Sequence, residues 1–203
     1  MAYASWLTPS TTSGSGNSSV GFTSASAHTG RSSRTTTANF RASGISDVPL
    51  TILQQAAAEY VAMEATKAVA QAGGTITISG ESNSSQLTFS LGASPTLVLT
   101  LPSTYTAGGE ITTNGVAISG DPGTAAKYAF SIQFANIPAN TSVSDLLAQL
   151  TVTANGGQTA VCAITQAADE PSLSINPTSI ELTAAGTPAV TVTVTSNTSW
   201  TIV

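Results

Sequence analysis

The chain has 203 residues, of which 41% are hydrophobic and only 7% are charged, and its formal net charge at pH 7 is -5. Five Lys and Arg residues are too few to build the basic face that nucleic acid requires, so no nucleic-acid partner is expected. No stretch approaches the ~20 apolar residues that cross a bilayer as a helix, so no membrane span is predicted.

Residues 1–57, which we call the head, predict β-strands but lack the opening strands of a sandwich. Strand-like patterns cover residues 3–7, 20–22, 35–40 and 48–53. A glycine-serine turn at residues 13–17 follows the first of them. The head is therefore expected to be the later part of a β-domain.

Residues 58–168, which we call the middle domain, predict one complete sandwich. Strands are expected at residues 97–101, 116–118, 128–134 and 150–152, with Gly, Pro and Asn turns between them. Residues 144–149 are expected to form one short helical turn. The single Cys162 falls on a strand-like segment and is expected to be a buried, unreactive thiol.

An internal repeat connects the middle domain with its flanks. Leu53-Gln54-Gln55-Ala56-Ala57 recurs as Ile164-Thr165-Gln166-Ala167-Ala168, which aligns Gln55 with Gln166. Downstream of each copy, Gly74 corresponds to Gly186 and Ser82-Asn83 to Ser196-Asn197. A module that recurs at a fixed spacing indicates an array of similar domains.

The repeat also decides between helix and strand for residues 60–72. Their composition favours a helix by propensity alone. Their counterpart near residue 176 contains Asn176-Pro177 and is extended. Residues 60–72 are therefore predicted to be strands.

Residues 169–203, which we call the tail, predict the opening strands of another sandwich. Apolar residues alternate with polar ones at residues 173–175, 180–182 and 190–195, and residues 176–179 form a turn. A sandwich needs roughly seven strands, whereas the tail supplies about three. We expect that the tail does not fold alone.

Read tail first and head second, the two flanks resemble the BACON domain, an immunoglobulin-like sandwich of Bacteroidetes-associated proteins. The tail carries Gly186 and the pattern Ser196-Asn197-x-x-Trp200, and the head continues with a second tryptophan, a Ser-Gly-x-Gly turn, an arginine on a strand and a closing glutamine. These last features are Trp6, Ser13-Gly14-Ser15-Gly16, Arg34 and Gln55. The head departs from the pattern at Ala27-His28, where the family has an asparagine, and at the doubled Gln54-Gln55.

The resemblance implies an all-β fold of tandem immunoglobulin-like (BACON-like) β-sandwiches. In this arrangement the middle domain is a complete copy, residues 1–57 are the C-terminal part of a second copy, and residues 169–203 are its N-terminal part. The tail is then expected to complete the head, either within one molecule or between molecules. Because short linkers place head and tail at opposite poles of the middle domain, joining in trans is favoured.

Joining in trans predicts copies of the chain as head-to-tail partners. The expected interface residues share large apolar side chains at alternating strand positions. They are Trp6, Leu7, Ile180, Leu182, Val190, Val192, Val194, Trp200 and Ile202. Inserting them into a neighbouring subunit would be strand addition of the kind that pilins use.

The residues that carry chemistry are sparse, so we expect no catalytic residue, no cofactor and no metal. His28 is the only histidine and has no acidic or cysteine neighbour in sequence. Asp121 lies in a turn and would need several more oxygen ligands to hold calcium. The Asn-x-Ser/Thr sites at Asn17, Asn83, Asn140 and Asn197 are interpreted as turns.

The expected function is therefore that of a non-enzymatic structural protein that self-assembles by strand complementation. A chain that begins at Met1 without a signal peptide favours a phage virion component (capsid decoration, head fibre or tail fibre), and a surface filament subunit at the extracellular surface is the other setting. The alternative is a carbohydrate-binding or spacer module of a secreted Bacteroidetes protein. In that case Trp6, Trp200 and the tyrosines Tyr3, Tyr60, Tyr105 and Tyr128 would stack on a glycan.

Overall fold

The protein is all-β, as predicted. A computed structural model describes residues 3–186 and 189–203. Within these residues the regular structure consists of fifteen strands and one turn of 3-10 helix at Pro122–Thr124. The repeat also matches Thr187, which follows Gly186, with Thr75, which follows Gly74, and Thr187 lies outside the described residues.

The head forms two antiparallel ribbons. Strand β1 (Leu7–Pro9) pairs with β2 (Phe22–Ser24), and β3 (Arg34–Phe40) pairs with β4 (Val48–Gln54). The prediction of a strand at residues 3–7 is wrong except at its last residue. The backbone turns there, and the Leu7 amide donates to the Ala4 carbonyl oxygen at 3.0 Å.

The middle domain is a sandwich of two sheets. Its strands are β5 (Val61–Met63), β6 (Thr66–Val69), β7 (Gly74–Ser82), β8 (Leu87–Leu91), β9 (Thr104–Ala107), β10 (Glu110–Thr113), β11 (Tyr128–Ile137), β12 (Leu146–Ala154) and β13 (Thr159–Gln166). One sheet has the order β10-β9-β11-β7-β5, and the other has the order β6-β13-β12-β8. Strand β6 joins β13 in parallel, and the other pairs are antiparallel.

Alternating residues of both sheets fill the space between them. Ile78 and Ile132 come from the first sheet, and Leu150 and Cys162 come from the second; all four are fully buried. Successive side chains on a strand point to opposite faces, so every second residue reaches the core. Burying each such side chain contributes about 1.5–3 kcal/mol. The buried Cys162 is confirmed, and burial raises the pKa of its thiol.

The prediction of strands over residues 60–72 is confirmed by β5 and β6. Their burial explains why these residues form strands although their composition favours a helix. Val61 pairs with Ser82 on β7, Val69 pairs with Gln166 on β13, and both valines face the core. Tertiary pairing therefore overrides the local preference.

Three local predictions in the middle domain are wrong. Residues 97–101 and 116–118 are not strands, apart from an isolated bridge between Gln86 and Ala117. Residues 144–149 are not helical, because β12 already begins at Leu146. In the first case Leu97 is buried, Leu99 and Leu101 are partly buried against the core, and Val98 between them is 77% exposed, so the alternation comes from an unpaired segment that packs every second side chain on the core.

The tail forms one antiparallel ribbon of β14 (Leu173–Asn176) and β15 (Thr193–Ser196). The predicted strand at residues 180–182 is absent from the described tail, and the strand predicted over 190–195 begins only at Thr193. In the middle domain β6 is held by β13. The tail contains no counterpart of β13, so its residues 180–182 lack a strand to pair with.

Candidate assembly surface

The β3–β4 ribbon of the head repeats the β12–β13 pair of the middle domain. Arg34 lies opposite Gln54, as Leu146 lies opposite Gln166, and the pairing continues in step along both ribbons. The inward positions of the middle domain therefore have counterparts in the head. Leu150, Val152, Cys162 and Ile164 correspond to Ala38, Phe40, Leu50 and Ile52.

These corresponding positions differ in burial. In the middle domain all four are covered by the opposite sheet. In the head Ala38 is buried, but Phe40 is 44% exposed and Leu50 is 40% exposed. The head thus presents one face of a sandwich core that is covered only in part, by its own β1–β2 ribbon, whose Phe22 ring lies 6.4 Å from that of Phe40.

Gln54 of the head repeats a loop contact that Gln166 makes in the middle domain. The Gln54 Nε2 donates to the Ser26 carbonyl oxygen at 3.2 Å, as the Gln166 Nε2 donates to the Pro138 carbonyl oxygen at 2.8 Å. The structure therefore aligns Gln166 with Gln54. The alignment of Gln166 with Gln55 that the sequence suggested is wrong by one residue.

His28 takes the place of Asn140. The Asn140 Nδ2 donates to the Ser144 carbonyl oxygen at 2.9 Å, and the His28 Nε2 donates to the Ser32 carbonyl oxygen at 2.6 Å. Both bonds reach the residue four positions ahead. Because the acceptor is a carbonyl oxygen, Nε2 of His28 carries a proton. The imidazole therefore stabilises the loop of the head in the way that Asn140 stabilises the loop of the middle domain.

The β14–β15 ribbon of the tail repeats the β5–β7 pair. Leu173 lies opposite Ser196, as Val61 lies opposite Ser82. In both ribbons the serine hydroxyl donates at 2.7 Å to the carbonyl oxygen of the residue that precedes the paired strand residue. The correspondence between Ser82 and Ser196 is thus visible in the backbone pairing and in the side-chain contact.

The next residue, an asparagine, makes the same clamp in both places. The Asn83 Oδ1 accepts from the Tyr60 amide at 2.9 Å, and its Nδ2 donates to the Ala58 carbonyl oxygen at 3.0 Å. The Asn197 Oδ1 accepts from the Ser172 amide, and its Nδ2 donates to the Glu170 carbonyl oxygen, both at 2.8 Å. These asparagines are structural clamps at the start of a module.

The tail exposes the side chains that its counterpart buries. Leu173 is 60% exposed where Val61 is buried, and Val190 is 44% exposed. The ribbon pairs its backbone groups in the same way as the middle domain does, but it has no opposite sheet within the described tail. Head and tail therefore each show an apolar face of one half of a sandwich.

The expected interface residues lie in two separate groups. Leu7 is buried at the start of β1, and Trp6 is half-buried with the Arg34 guanidinium carbon 4.8 Å from its ring centroid. The tail residues are exposed or half-buried: Ile180, Leu182, Val190, Val192, Val194, Trp200 and Ile202. Among the described residues no hydrogen bond joins head to tail.

The head docks on the middle domain through Arg31, which sequence reasoning missed. Its guanidinium pairs with Asp121, its Nε donates to the Asn83 carbonyl oxygen at 2.8 Å, and its amide donates to the Gly123 carbonyl oxygen at 2.8 Å. The Asn83 side chain returns a bond to the Thr29 carbonyl oxygen at 3.1 Å. Asp121 is thus an ion-pair partner of the head.

The ion pair predicts a specific pH dependence. Hydrogen bonding from Arg31 lowers the pKa of Asp121 below its usual value of 3.8. A carboxyl group with a lowered folded-state pKa stabilises the fold above its unfolded pKa, and this contribution disappears as pH falls through the folded pKa. Since Asp121 is 40% exposed, we expect a contribution of only about 0.2–1 kcal/mol.

The check is urea unfolding of the parent chain and Asp121→Asn at about pH 6 and about pH 2.5. At the higher pH the parent should be more stable than the variant, and the difference should shrink as the pH falls, because the Asp121 carboxylate is then progressively protonated. A difference that is the same at both pH values would contradict a role for the charge.

Comparison with protein-family models finds no match, and comparison with curated proteins finds no relative. No α-helix in the described residues is long and apolar enough to cross a membrane. Residues 3–186 and 189–203 contain no group of three or more His, Cys, Asp or Glu side chains arranged to hold a metal ion. The features that describe this protein are thus its all-β fold and the repeated geometry of its flanks.

Proposed function

We propose that this chain is a non-enzymatic structural subunit that self-assembles by β-strand complementation. The tail of one copy completes the head of another, and the middle domain is the spacer between successive joints. On the BACON-like resemblance, the larger assembly that we propose is a phage virion component or a surface filament.

The observation that carries this proposal is the complementary exposure of head and tail. The head has the β12–β13 half of the sandwich, with Phe40 and Leu50 exposed on its inner face. The tail has the β5–β7 half, with Leu173 and Val190 exposed. In the middle domain these two halves bury each other, so the folded sandwich is a template for the joint.

The energetics favour a stable joint. Each large apolar side chain that is transferred into such a core contributes about 1.5–3 kcal/mol. Because donor and acceptor surfaces differ, the contact is heterologous and continues from copy to copy until it closes a ring or extends as a filament. The low charge of the chain, 7% of residues, leaves little repulsion between neighbours.

The test is the mass of the purified chain by light scattering, with and without residues 172–203. We expect the whole chain to form oligomers or polymers of a 20.2 kDa unit and the shortened chain to be a monomer with an intact middle domain by circular dichroism. A monomeric whole chain, or a shortened chain that still polymerises, would refute strand exchange. A monomeric whole chain with a protected tail would indicate closure in cis.

A further inference from the structure

Resting on the proposed function, we infer a single register for the joint between two copies. Residues 179–182 of one copy form a parallel strand on the free edge of β4 of the next copy. Ile180 then lies beside Ile52, and Leu182 lies beside Gln54. The partner at this edge is a second copy of the same chain.

The template for this register is the parallel pair of β6 and β13. Lys67 lies beside Ile164, and Val69 lies beside Gln166. Strand β13 is thus bonded on both sides, by β12 and by β6. Its counterpart β4 is bonded only to β3 in the described residues, so the edge that β6 occupies on β13 is open on β4.

A shared turn fixes which tail residues correspond to β6. The Gly73 amide donates to the Ala70 carbonyl oxygen at 2.9 Å, and the Gly186 amide donates to the Thr183 carbonyl oxygen at 3.0 Å. Both glycines have positive φ, 76° and 82°. Gly186 therefore corresponds to Gly73, one residue before the Gly74 that the sequence suggested. Counting back from the turn places Leu182 at the position of Val69 and Ile180 at that of Lys67.

Polar groups at the end of β4 favour the same register. In the middle domain the Gln166 Nε2 also approaches the carbonyl oxygens of Ala70 and Gln71, at 3.3 and 3.2 Å. The corresponding tail residues are Thr183 and Ala184.

In the head, the acceptor of the Gln54 Nε2 is Ser26, and the neighbouring Arg34 Nη2 is buried without a partner. A buried donor without an acceptor is unfavourable, because it has lost its hydrogen bonds to water. The carbonyl oxygens of Thr183 and Ala184 from the next copy supply the acceptors that this corner lacks.

Charge is also distributed in a complementary way. The head has three arginines (Arg31, Arg34 and Arg41) and one acidic residue, Asp47. The tail has three acidic residues (Asp169, Glu170 and Glu181) and neither lysine nor arginine. Opposite net charges favour encounter between head and tail over head-to-head or tail-to-tail contact, and they make association faster at low salt.

The register can be tested with two single-cysteine variants, Thr51→Cys and Ser179→Cys. Both residues are exposed, and their counterparts Ala163 and Thr66 are directly paired and exposed as well, so neither change disturbs a core. Directly paired residues on neighbouring strands are close enough for a disulfide to form. Equal amounts of the two variants are mixed under mild denaturation, returned to native buffer and oxidised.

We expect a covalent dimer in the mixture and almost none with either variant alone, because native Cys162 is buried. The matched control replaces Ser179→Cys by Thr195→Cys, an exposed residue of β15. The counterpart of β15 is β7, which lies in the opposite sheet from β13, so this control mixture should not crosslink.

The outcomes separate the two proposals. Polymers by light scattering with no crosslink between positions 51 and 179, or with equal crosslinking in the control, would overturn the register and leave strand exchange standing. A monomeric parent chain would overturn both. A crosslink within the double variant Thr51→Cys/Ser179→Cys but not between the single variants would mean closure in cis, which also overturns the joint between copies.

Discussion

Replacing Asn83 with alanine is expected to lower the free energy of unfolding of the middle domain by about 3 kcal/mol. The side chain is fully buried and bonded to the Tyr60 amide and to the carbonyl oxygens of Ala58 and Thr29. Alanine removes all three bonds and leaves buried backbone groups without partners. The loss also frees the head, since the Thr29 bond is part of its docking.

Urea unfolding followed by circular dichroism measures this effect. Asn83→Asp is a second variant, and it should destabilise the middle domain at least as much as alanine, because it buries a carboxyl group against the carbonyl oxygens of Ala58 and Thr29, which cannot donate to it. Asn197→Ala is the matched control at the repeated position, and it should leave the middle domain unchanged. A loss of less than about 0.5 kcal/mol for Asn83→Ala would contradict the clamp.

The sequence predicts those elements whose patterns are long and whose packing is simple. The alternation in residues 128–134 and 150–152 corresponds to β11 and β12, because each of these strands buries every second residue. The strands in residues 60–72 follow only from comparison with the tail, since their composition favours a helix. Repetition thus carries information that local propensity lacks.

The errors also have physical reasons. The run at residues 97–101 alternates because Leu97, Leu99 and Leu101 all pack on the core, and a loop can do this without pairing. Gln54 and Gln55 are adjacent and identical, so the sequence cannot show which of them corresponds to Gln166. The hydrogen bond from Gln54 to the Ser26 carbonyl oxygen distinguishes them. Arg31 and Asp121 are 90 residues apart, so no local pattern points to their contact.

The candidate surface was predictable in part. The sequence predicts two incomplete halves and picks out the apolar residues of the tail, because each half resembles a fragment of the repeat. It does not identify the inner face of β3 and β4. Phe40, Leu50 and Ile52 are the head's counterparts of core residues, and this equivalence follows from the pairing of the strands.

Replacing Ile180 and Leu182 together with aspartate is expected to convert the assembled protein into monomers. In the proposed joint these side chains, 44% and 65% exposed in the tail, are covered by the next copy, so the parent gains about 1.5–3 kcal/mol from the pair. Aspartate loses that gain and must in addition bury two carboxylates, which is strongly unfavourable without partners. The association constant should fall by at least about a thousandfold, since 1.4 kcal/mol corresponds to a factor of ten.

Sedimentation and light scattering over a concentration series measure the change, and Val98→Asp is the matched control. Val98 is 77% exposed on the middle domain, compared with 65% for Leu182, so each substitution adds charge at an exposed apolar site. The control should assemble like the parent, and the middle domain of the double variant should unfold at the parent's temperature, because neither Ile180 nor Leu182 belongs to its core. If the double variant assembles as well as the control, residues 179–182 do not enter the joint; if both variants dissociate, added charge rather than lost burial controls association.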